Sequence, residues 1–165
     1  MGCEVHADGL SNTIGASERL QGDWLTGPFK QGGDYFLSPF GSSPINISPD
    51  GAVALCQSVP PGFAVESRSG ESWFVSGFHF TNYNHLLTPN SRDLQCAFDD
   101  LTEPFHSRII HNGVFAATSF HSGGVNAAAM DGSVRFITDG VQISLWRAVG
   151  TRNGNEAIST PGSPF

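Results

Sequence analysis

His121 and Asp131, ten positions apart, are the residues whose types and spacing most readily suggest chemistry in this sequence. A histidine and an aspartate near one turn can form an acid–base pair, ligate a metal or clamp a structure. Ser119 and Ser133 lie close by, so a Ser-His-Asp triad is one arrangement to consider. Neither serine stands in a strained elbow of the G-x-S-x-G kind that exposes a nucleophile. The pattern therefore favours a structural role, in which Asp131 accepts hydrogen bonds within its own turn.

Metal ligation has few candidates in this sequence. The six histidines include no i,i+4 pair, and there is no paired C-x-x-C motif, so a zinc site is not expected. Asp99, Asp100 and Glu103 lie close together in an acidic, loop-like segment and are the remaining candidates for calcium ligands. We expect no cofactor, with calcium as the alternative.

Aromatic residues in a Gly/Pro-rich stretch suggest a binding role instead. The rings of Trp24, Tyr35 and Phe36 could stack on a sugar or a partner protein, or could pin the loop to the domain. Solute pockets combine apolar walls with a few polar groups. His85 and Asn90 are the candidate polar groups of such a site.

Composition and charge exclude several classes of protein. The chain has 165 residues and a mass of 17.5 kDa, which fits one domain. Its net charge is −7 with a single lysine, so it has no basic cluster for nucleic acid or for an anionic membrane surface. The longest uninterrupted apolar stretch, residues 52–56, is far too short to span a bilayer. No secretory signal is visible at the N-terminus.

Short apolar runs separated by Gly, Pro, Asn and Asp predict an α+β fold dominated by antiparallel strands with long Gly/Pro-rich loops. The clearest signal is a β-hairpin over Val125–Ile137, for which Asp131-Gly132 predicts a two-residue turn. The segment Ser144–Val149, closed by Gly150, predicts one short C-terminal helix with Trp146 facing inward.

The other elements are expected to be short. We predict strands within residues 10–20, over residues 72–80 with Trp73 as one candidate for the buried face, and over residues 114–120; a long loop over residues 22–50; and a frayed tail over residues 159–165. Cys56 and Cys96 could form a disulfide that leaves Cys3 free, but three thiols in a cytosolic protein are equally ordinary.

Four segments, in order along the chain, carry a family resemblance. They are Asp8-Gly-Leu-Ser-Asn-Thr13 with Ser17-Glu-Arg-Leu20; Tyr83-Asn-His-Leu-Leu-Thr-Pro-Asn-Ser91 followed by Cys96; His121 with nine residues before Asp131-Gly132; and Trp146-Arg-Ala-Val-Gly-Thr-Arg152 with Gly154 and Glu156. Together they resemble the motifs of a very large planctomycete family of prepilin-like proteins. That family is called domain of unknown function 1559 and was formerly labelled bacterial extracellular solute-binding family 10.

The resemblance implies a pseudopilin-like head domain over residues 1–158. Complete members of the family begin with a type IV prepilin leader and an apolar helix, and this sequence contains neither, so it would reach a membrane only through that absent helix. The resemblance also implies an envelope or extracellular setting, which favours a Cys56–Cys96 disulfide. The signature residues, which we expect to be structural, are His121, Gly124, Asn126, Asp131, Gly132, Trp146 and Arg147.

These observations favour a non-enzymatic pilin-like or pseudopilin-like head, a structural subunit of the cell surface or of a type II secretion apparatus. Its partners would be other pilin-like subunits or secretion machinery. The alternative is an extracellular module that binds a small solute or a glycan. A hydrolase built on His121 and Asp131 is the third class considered.

Overall fold

The computed structural model describes residues 8–25, 28–38, 47–60, 65–74, 77–78, 80–98 and 112–154. In chain order, its elements are a short 3-10 helix (Leu10–Asn12), β1 (Ile14–Ser17), β2 (Tyr35–Leu37), α1 (Pro49–Gln57), β3 (Val65–Glu66), β4 (Cys96–Phe98), β5 (Asn112–Val114), β6 (Gly124–Ala129), β7 (Val134–Thr138) and α2 (Ile143–Ala148).

The strands form two small sheets. One has the order β1-β6-β7 with both pairs antiparallel, and the other has the order β3-β2-β4-β5, in which only β2 and β4 run parallel. The predicted α+β fold with mostly antiparallel strands is therefore confirmed. The segment predicted as a long loop, residues 22–50, contains β2 and the first residues of α1. The predicted frayed tail lies outside the described residues.

The predicted hairpin is present as β6 and β7, but its turn is longer than predicted. The Ala129 carbonyl accepts from the Gly132 N–H at 2.9 Å, and the Ala129 N–H donates to the Ser133 carbonyl at 2.8 Å. Three residues therefore join the strands, and of these only Gly132 has a positive φ, 87°. This is a type I turn followed by a left-handed glycine, whereas a two-residue turn needs positive φ at Asp131 as well.

Helix α2 confirms the predicted C-terminal helix, with Trp146 fully buried. Helix α1 was not predicted, because Asp50-Gly51, which follow its first residue Pro49, are typical of a turn. The Ser48 hydroxyl accepts from the Gly51 N–H at 3.1 Å, Pro49 occupies the first turn, and the helix buries Ala52 and Cys56. A serine cap followed by proline is a helix start signal.

The strand predicted over residues 72–80 is wrong for its described part, residues 72–74, 77–78 and 80, where the chain makes bends and turns. The Gly77 carbonyl accepts from the N–H groups of Phe80, Thr81 and Asn82 at 2.9–3.0 Å, which closes a tight turn. Trp73, expected to be buried, is 87% exposed. The strand predicted over residues 114–120 is present only as the end of β5.

Three groups of buried side chains make up the core. The first packs the β1-β6-β7 sheet against α2 around Trp146, Val125, Ile137 and Ile14. The second packs α1 against β4 and β5 around Cys56 and Cys96, and the third covers the second sheet with Tyr35, Leu37, Ala97 and Phe115. The segment 83–87 contributes Tyr83 to the first group and Leu87 to the second, so it lies between the two.

Candidate functional site

The histidine of the signature meets a glutamate rather than the aspartate. Glu18 follows β1, His121 lies in the loop before β6, and Nε2 of His121 is 3.0 Å from Oε1 of Glu18. The Asn126 backbone N–H donates to Oε2 of Glu18 at 2.7 Å, and its side-chain amide donates to Oε1 at 3.1 Å. The Ser17 hydroxyl donates to the Asn126 carbonyl at 2.8 Å. Ser17 and Glu18 thus satisfy both backbone groups of Asn126 with side chains.

The environment of Glu18 stabilises its charged form. Partial burial acts to raise the pKa of this carboxyl, but hydrogen bonds from Asn126 and His121, with the charge that a protonated His121 would carry, outweigh it and lower the pKa. The side chains of Glu18 and His121 are 33% and 54% exposed, so the pair lies at the surface. Such a pair can orient a loop, and its direct contribution to stability is small.

Asp131 lies at the opposite end of β6 from His121. Its Oδ1 accepts from the N–H and the hydroxyl of Ser133 at 2.9 and 2.7 Å, and these bonds lower the pKa of the Asp131 carboxyl. The Ser119 hydroxyl donates to the Gly124 carbonyl at 2.8 Å and accepts from the His121 N–H at 3.1 Å. The candidate triad residues are therefore separated: Ser119 and His121 belong to the turn before β6, and Asp131 and Ser133 belong to the turn after it.

Asn90, a sequence candidate for ligand binding, connects three segments of the chain. It has a positive φ of 50°. Its amide donates to Oδ1 of Asp139 at 2.8 Å and to the Gly124 carbonyl at 3.2 Å, while its Oδ1 accepts from the Ser119 N–H at 2.8 Å. Every polar atom of this side chain is thus engaged in holding the loops next to β6.

His85 occupies a different place, beside α2. Its ring stacks on that of Trp146 at a centroid distance of 4.0 Å, and its Nδ1–H donates to the Trp146 carbonyl at 2.6 Å. Burial lowers the pKa of His85 to about 4, even though the bond to the carbonyl acts to raise it. The ring is therefore neutral near pH 7, and its Nε2 is an acceptor that receives no hydrogen bond from the described residues.

A cavity of about 390 Å³ opens next to His85. It lies between the segment 83–86, the start of α1 and the end of α2. Its lining consists of Ile14, Gly15, Pro49, Tyr83, Asn84, His85, Leu86, Arg147, Gly150 and Thr151. Arg147 binds Oδ1 of Asp50 at 2.8 Å and the Leu86 carbonyl at 3.1 Å, so it links α2 to α1 and to the segment 83–86.

The aromatic candidates from the sequence do not converge on this cavity. Tyr35 is fully buried in an edge-to-face contact with Phe115, which leaves its ring unavailable to a solute. Phe36 stacks on Phe29 at 4.9 Å, and Trp24 is half exposed with Arg68 over its ring. Tyr35 and Phe36 are thus packed within the domain, whereas the Trp24 ring remains half exposed.

The two remaining expectations concern sulfur and metal. Cys56 of α1 and Cys96 of β4 form a disulfide with a Cα–Cα distance of 5.6 Å, and both residues are fully buried. Asp99, Asp100 and Glu103 lie outside the described residues. Within the described ranges, no group of three His, Cys, Asp or Glu side chains could hold a metal ion.

Sequence reasoning from residue types did not single out Glu18, Arg19 or Asn84. Arg19 donates to the carbonyls of Phe78 and Asn82 and lies over the Phe115 ring, and burial lowers its pKa to about 10. The Asn84 amide donates to the Gly113 carbonyl at 2.7 Å. The available signal was their position within two of the segments that carry the family resemblance, Ser17–Leu20 and Tyr83–Ser91.

Comparison with known proteins adds one finding. A family model described as a protein of unknown function (DUF1559), with the label SBP_bac_10, matches residues 4–144. No curated protein and no solved structure matched the chain. The label agrees in general terms with an extracellular domain. No helix in the described part of the chain is long and apolar enough to cross a membrane. Because the match covers most of the sequence, the chain belongs to the DUF1559 family.

Proposed function

We propose that this chain is a non-enzymatic head domain of a pilin-like or pseudopilin-like subunit, with a structural role in the cell envelope. The observation that carries the proposal is that the side chains of the motif residues hydrogen-bond to other parts of the chain and hold its loops in place. Glu18, His121 and Asn126 hydrogen-bond to one another, and Asn90 binds three neighbouring segments. These groups maintain a shape, which is what a displayed subunit requires.

The disulfide supports an envelope location. Cys56 and Cys96 are joined in the core between α1 and β4. Structural disulfides form and persist in oxidising compartments, and they are rare in the cytosol. Within this proposal, the partners are other pilin-like subunits or secretion machinery.

Fractionation of the cells that produce the protein tests the proposal. We expect antibodies against residues 8–154 to detect the protein in envelope fractions and in sheared surface material, together with other pilin-like subunits after cross-linking. Recovery only as a free protein in the cytosolic fraction would contradict the proposal.

A second candidate function is the binding of a small solute or glycan outside the cell. One observation favours it, the cavity of about 390 Å³ beside His85. Small-molecule sites are typically clefts of roughly 300–1,000 Å³ with apolar walls and a few polar groups. The two functions are compatible, since a displayed head can also bind a solute.

A further inference from the structure

We propose that the cavity between the segment 83–86, α1 and α2 binds a small, uncharged, polyhydroxylated ligand of monosaccharide size. This inference rests on the second candidate function and names the ligand class and the site. Of the five binding candidates from the sequence, the site includes His85 and leaves out Trp24, Tyr35, Phe36 and Asn90.

The walls of the cavity favour a ligand with an apolar face. Ile14, Pro49 and Leu86 contribute aliphatic surface, and Tyr83 and His85 contribute rings whose centroids lie 5.3 Å apart. Since the His85 ring is also stacked on buried Trp146, it is held in one orientation before any ligand arrives. Preorganised rings lose little conformational entropy on binding, and a sugar ring presents C–H groups on one face.

The charges at the cavity disfavour an ionic ligand. Arg147 is the cationic residue of the lining, and it is paired with Asp50 at 2.8 Å. An anion would be attracted by the guanidinium but repelled by the adjacent carboxylate. A cation would be attracted by the carboxylate but repelled by the guanidinium. His85 adds no charge near neutral pH, because burial keeps its pKa near 4. A neutral ligand avoids both repulsions and can still accept a hydrogen bond from the Arg147 guanidinium, which lines the cavity.

The polar groups of the lining require a ligand that carries hydroxyl or N–H donors. Nε2 of His85 can only accept while Nδ1–H is bound to the Trp146 carbonyl. The Tyr83 hydroxyl makes no hydrogen bond to a described residue, and burial raises its pKa, so it remains protonated and can both donate and accept. The Thr151 hydroxyl also belongs to the lining, but it donates its proton to the Ala148 carbonyl at 2.9 Å, so toward a ligand it acts as an acceptor. Vicinal hydroxyl groups match this mixture of donors and acceptors.

The test is a titration of the ¹⁵N-labelled protein with neutral and charged monosaccharides, followed by NMR and calorimetry. The neutral probes are glucose, galactose and N-acetylglucosamine, and the charged probes are glucuronate and glucosamine. We expect saturable binding of at least one neutral sugar, with shifts at the Trp146 indole and in the segment 83–86. We expect glucuronate and glucosamine to bind about tenfold more weakly than that sugar.

Two variants and a matched control locate the site. Tyr83→Phe removes one hydroxyl, and His85→Asn keeps a donor for the Trp146 carbonyl but removes the Nε2 acceptor. Tyr83→Phe should weaken binding about fivefold, as expected for one lost hydrogen bond, and His85→Asn should weaken it by at least that much, because it removes a ring of the wall as well as the acceptor. Trp24→Ala removes an aromatic ring that does not line this cavity and should leave affinity unchanged. An ¹⁵N spectrum of each variant establishes that it is folded.

The outcomes separate the levels of the proposal. Absence of saturable binding by all five probes would overturn the site and count against the second candidate function. Binding of a charged sugar alone would overturn the ligand class while leaving solute binding in place. Binding that is lost in Trp24→Ala and retained in both cavity variants would overturn the site. None of these results would affect the structural role proposed for the head domain.

Discussion

Ser17 and Glu18 extend the pairing of β1 with β6 beyond its last backbone partners, and they do so with side chains. Backbone pairing ends at Ser17 and Ala127, and Asn126 is the next residue of β6. Its N–H and carbonyl would be left without strand partners, but the Glu18 carboxylate and the Ser17 hydroxyl take both. Unpaired backbone groups are costly when partly buried, so these two side chains specify where β1 ends.

Replacing Glu18 tests this role at a single position. Glu18→Ala leaves the Asn126 N–H without its acceptor, and we expect a loss of about 1–2 kcal/mol in the free energy of unfolding by urea denaturation.

His121→Ala should lower the free energy of unfolding by less than about 1 kcal/mol, since the pair of His121 and Glu18 is largely exposed. Asp131→Ala removes the acceptor for Ser133 and should also lower the melting temperature. A Glu18→Ala protein as stable as the wild type would contradict the assignment.

The same carboxyl predicts a pH dependence. Because the pKa of Glu18 is lower in the folded protein than in the unfolded chain, its ionisation stabilises the fold above the unfolded value, and this contribution disappears as the pH falls through the lowered value. Glu18→Gln should remove that component, which is measurable as a smaller drop in unfolding free energy between pH 6 and pH 3. An identical drop in both proteins would contradict the pKa direction.

His85 predicts a second pH effect, over a different range. Its folded pKa of about 4 lies below the ordinary value near 6.5, so the unfolded chain binds the extra proton between these values. Stability should therefore fall as the pH falls from about 6.5 to about 4, by at most about 3 kcal/mol from this group. His85→Asn should show a flatter profile over that interval. Equal slopes in the two proteins would mean that His85 titrates normally in the fold.

At the level of elements, the hairpin of β6 and β7 depends on a close approach at its open end. Gly124 is paired with Thr138, and a Cβ atom there would overlap the Ile137 carbonyl oxygen and lie 2.7 Å from the Phe136 ring. The two strands could not keep their present separation with any larger residue at that position. The hairpin is thus fixed at one end by Gly124 and at the other by the left-handed Gly132.

Gly124→Ala tests this constraint against a glycine of the same region. We expect the substitution to lower the free energy of unfolding by about 1–3 kcal/mol, because backbone must move to admit the methyl group. Gly140→Ala is the matched control: no atom lies within 4 Å of its added Cβ, so it should change stability by less than about 0.5 kcal/mol. Equal melting temperatures for the two variants would show that the close contact between Gly124 and the neighbouring strand does not constrain the residue at this position.

The elements with local signals were those that the sequence could predict. Alternation and Asp131-Gly132 located the β6–β7 hairpin, and Trp146 with Gly150 located α2. Strands β2, β3 and β4 have two or three residues each, and their pairing depends on partners far along the chain. Residues 72–80 alternate like a strand, yet Gly77 closes a turn there. Periodicity cannot report such long-range contacts.

In the candidate sites, too, local signals were predictable from the sequence and contacts between distant segments were not. The structure places His121 and Asn126 together, but their partner Glu18 is more than a hundred positions away and no spacing rule connects them. The cavity is assembled from β1, α1, α2 and the segment 83–86. Of the five ligand-binding candidates chosen from the sequence, only His85 lines it.

At the scale of the whole molecule, two small sheets and two helices bury their apolar side chains in three groups. The β1-β6-β7 sheet packs with α2, while α1 packs on β4 and β5. The disulfide lies within the second group and connects residues 40 positions apart. The match to the DUF1559 family covers residues 4–144, which include all seven strands and α1 and end within α2.

Loss of the disulfide should lower stability more than any single substitution considered above. Closing a loop of this length stabilises a fold by about 3–4 kcal/mol in the chain-entropy model. We expect the double variant Cys56→Ala/Cys96→Ala to lose about that amount in urea denaturation. Alkylation of the unfolded wild type without reductant should modify Cys3 alone, as read by mass spectrometry. Modification of all three cysteines would show that the bond is absent.

The measurement that tests the proposed function most directly is the mass of the mature protein from the cells that produce it, with its N-terminal peptide identified. The account predicts a start upstream of Met1, at a methylated phenylalanine left by cleavage of a prepilin leader. A mature protein that starts at Met1 would contradict a pilin-like head, since it could not join a filament through the usual helix.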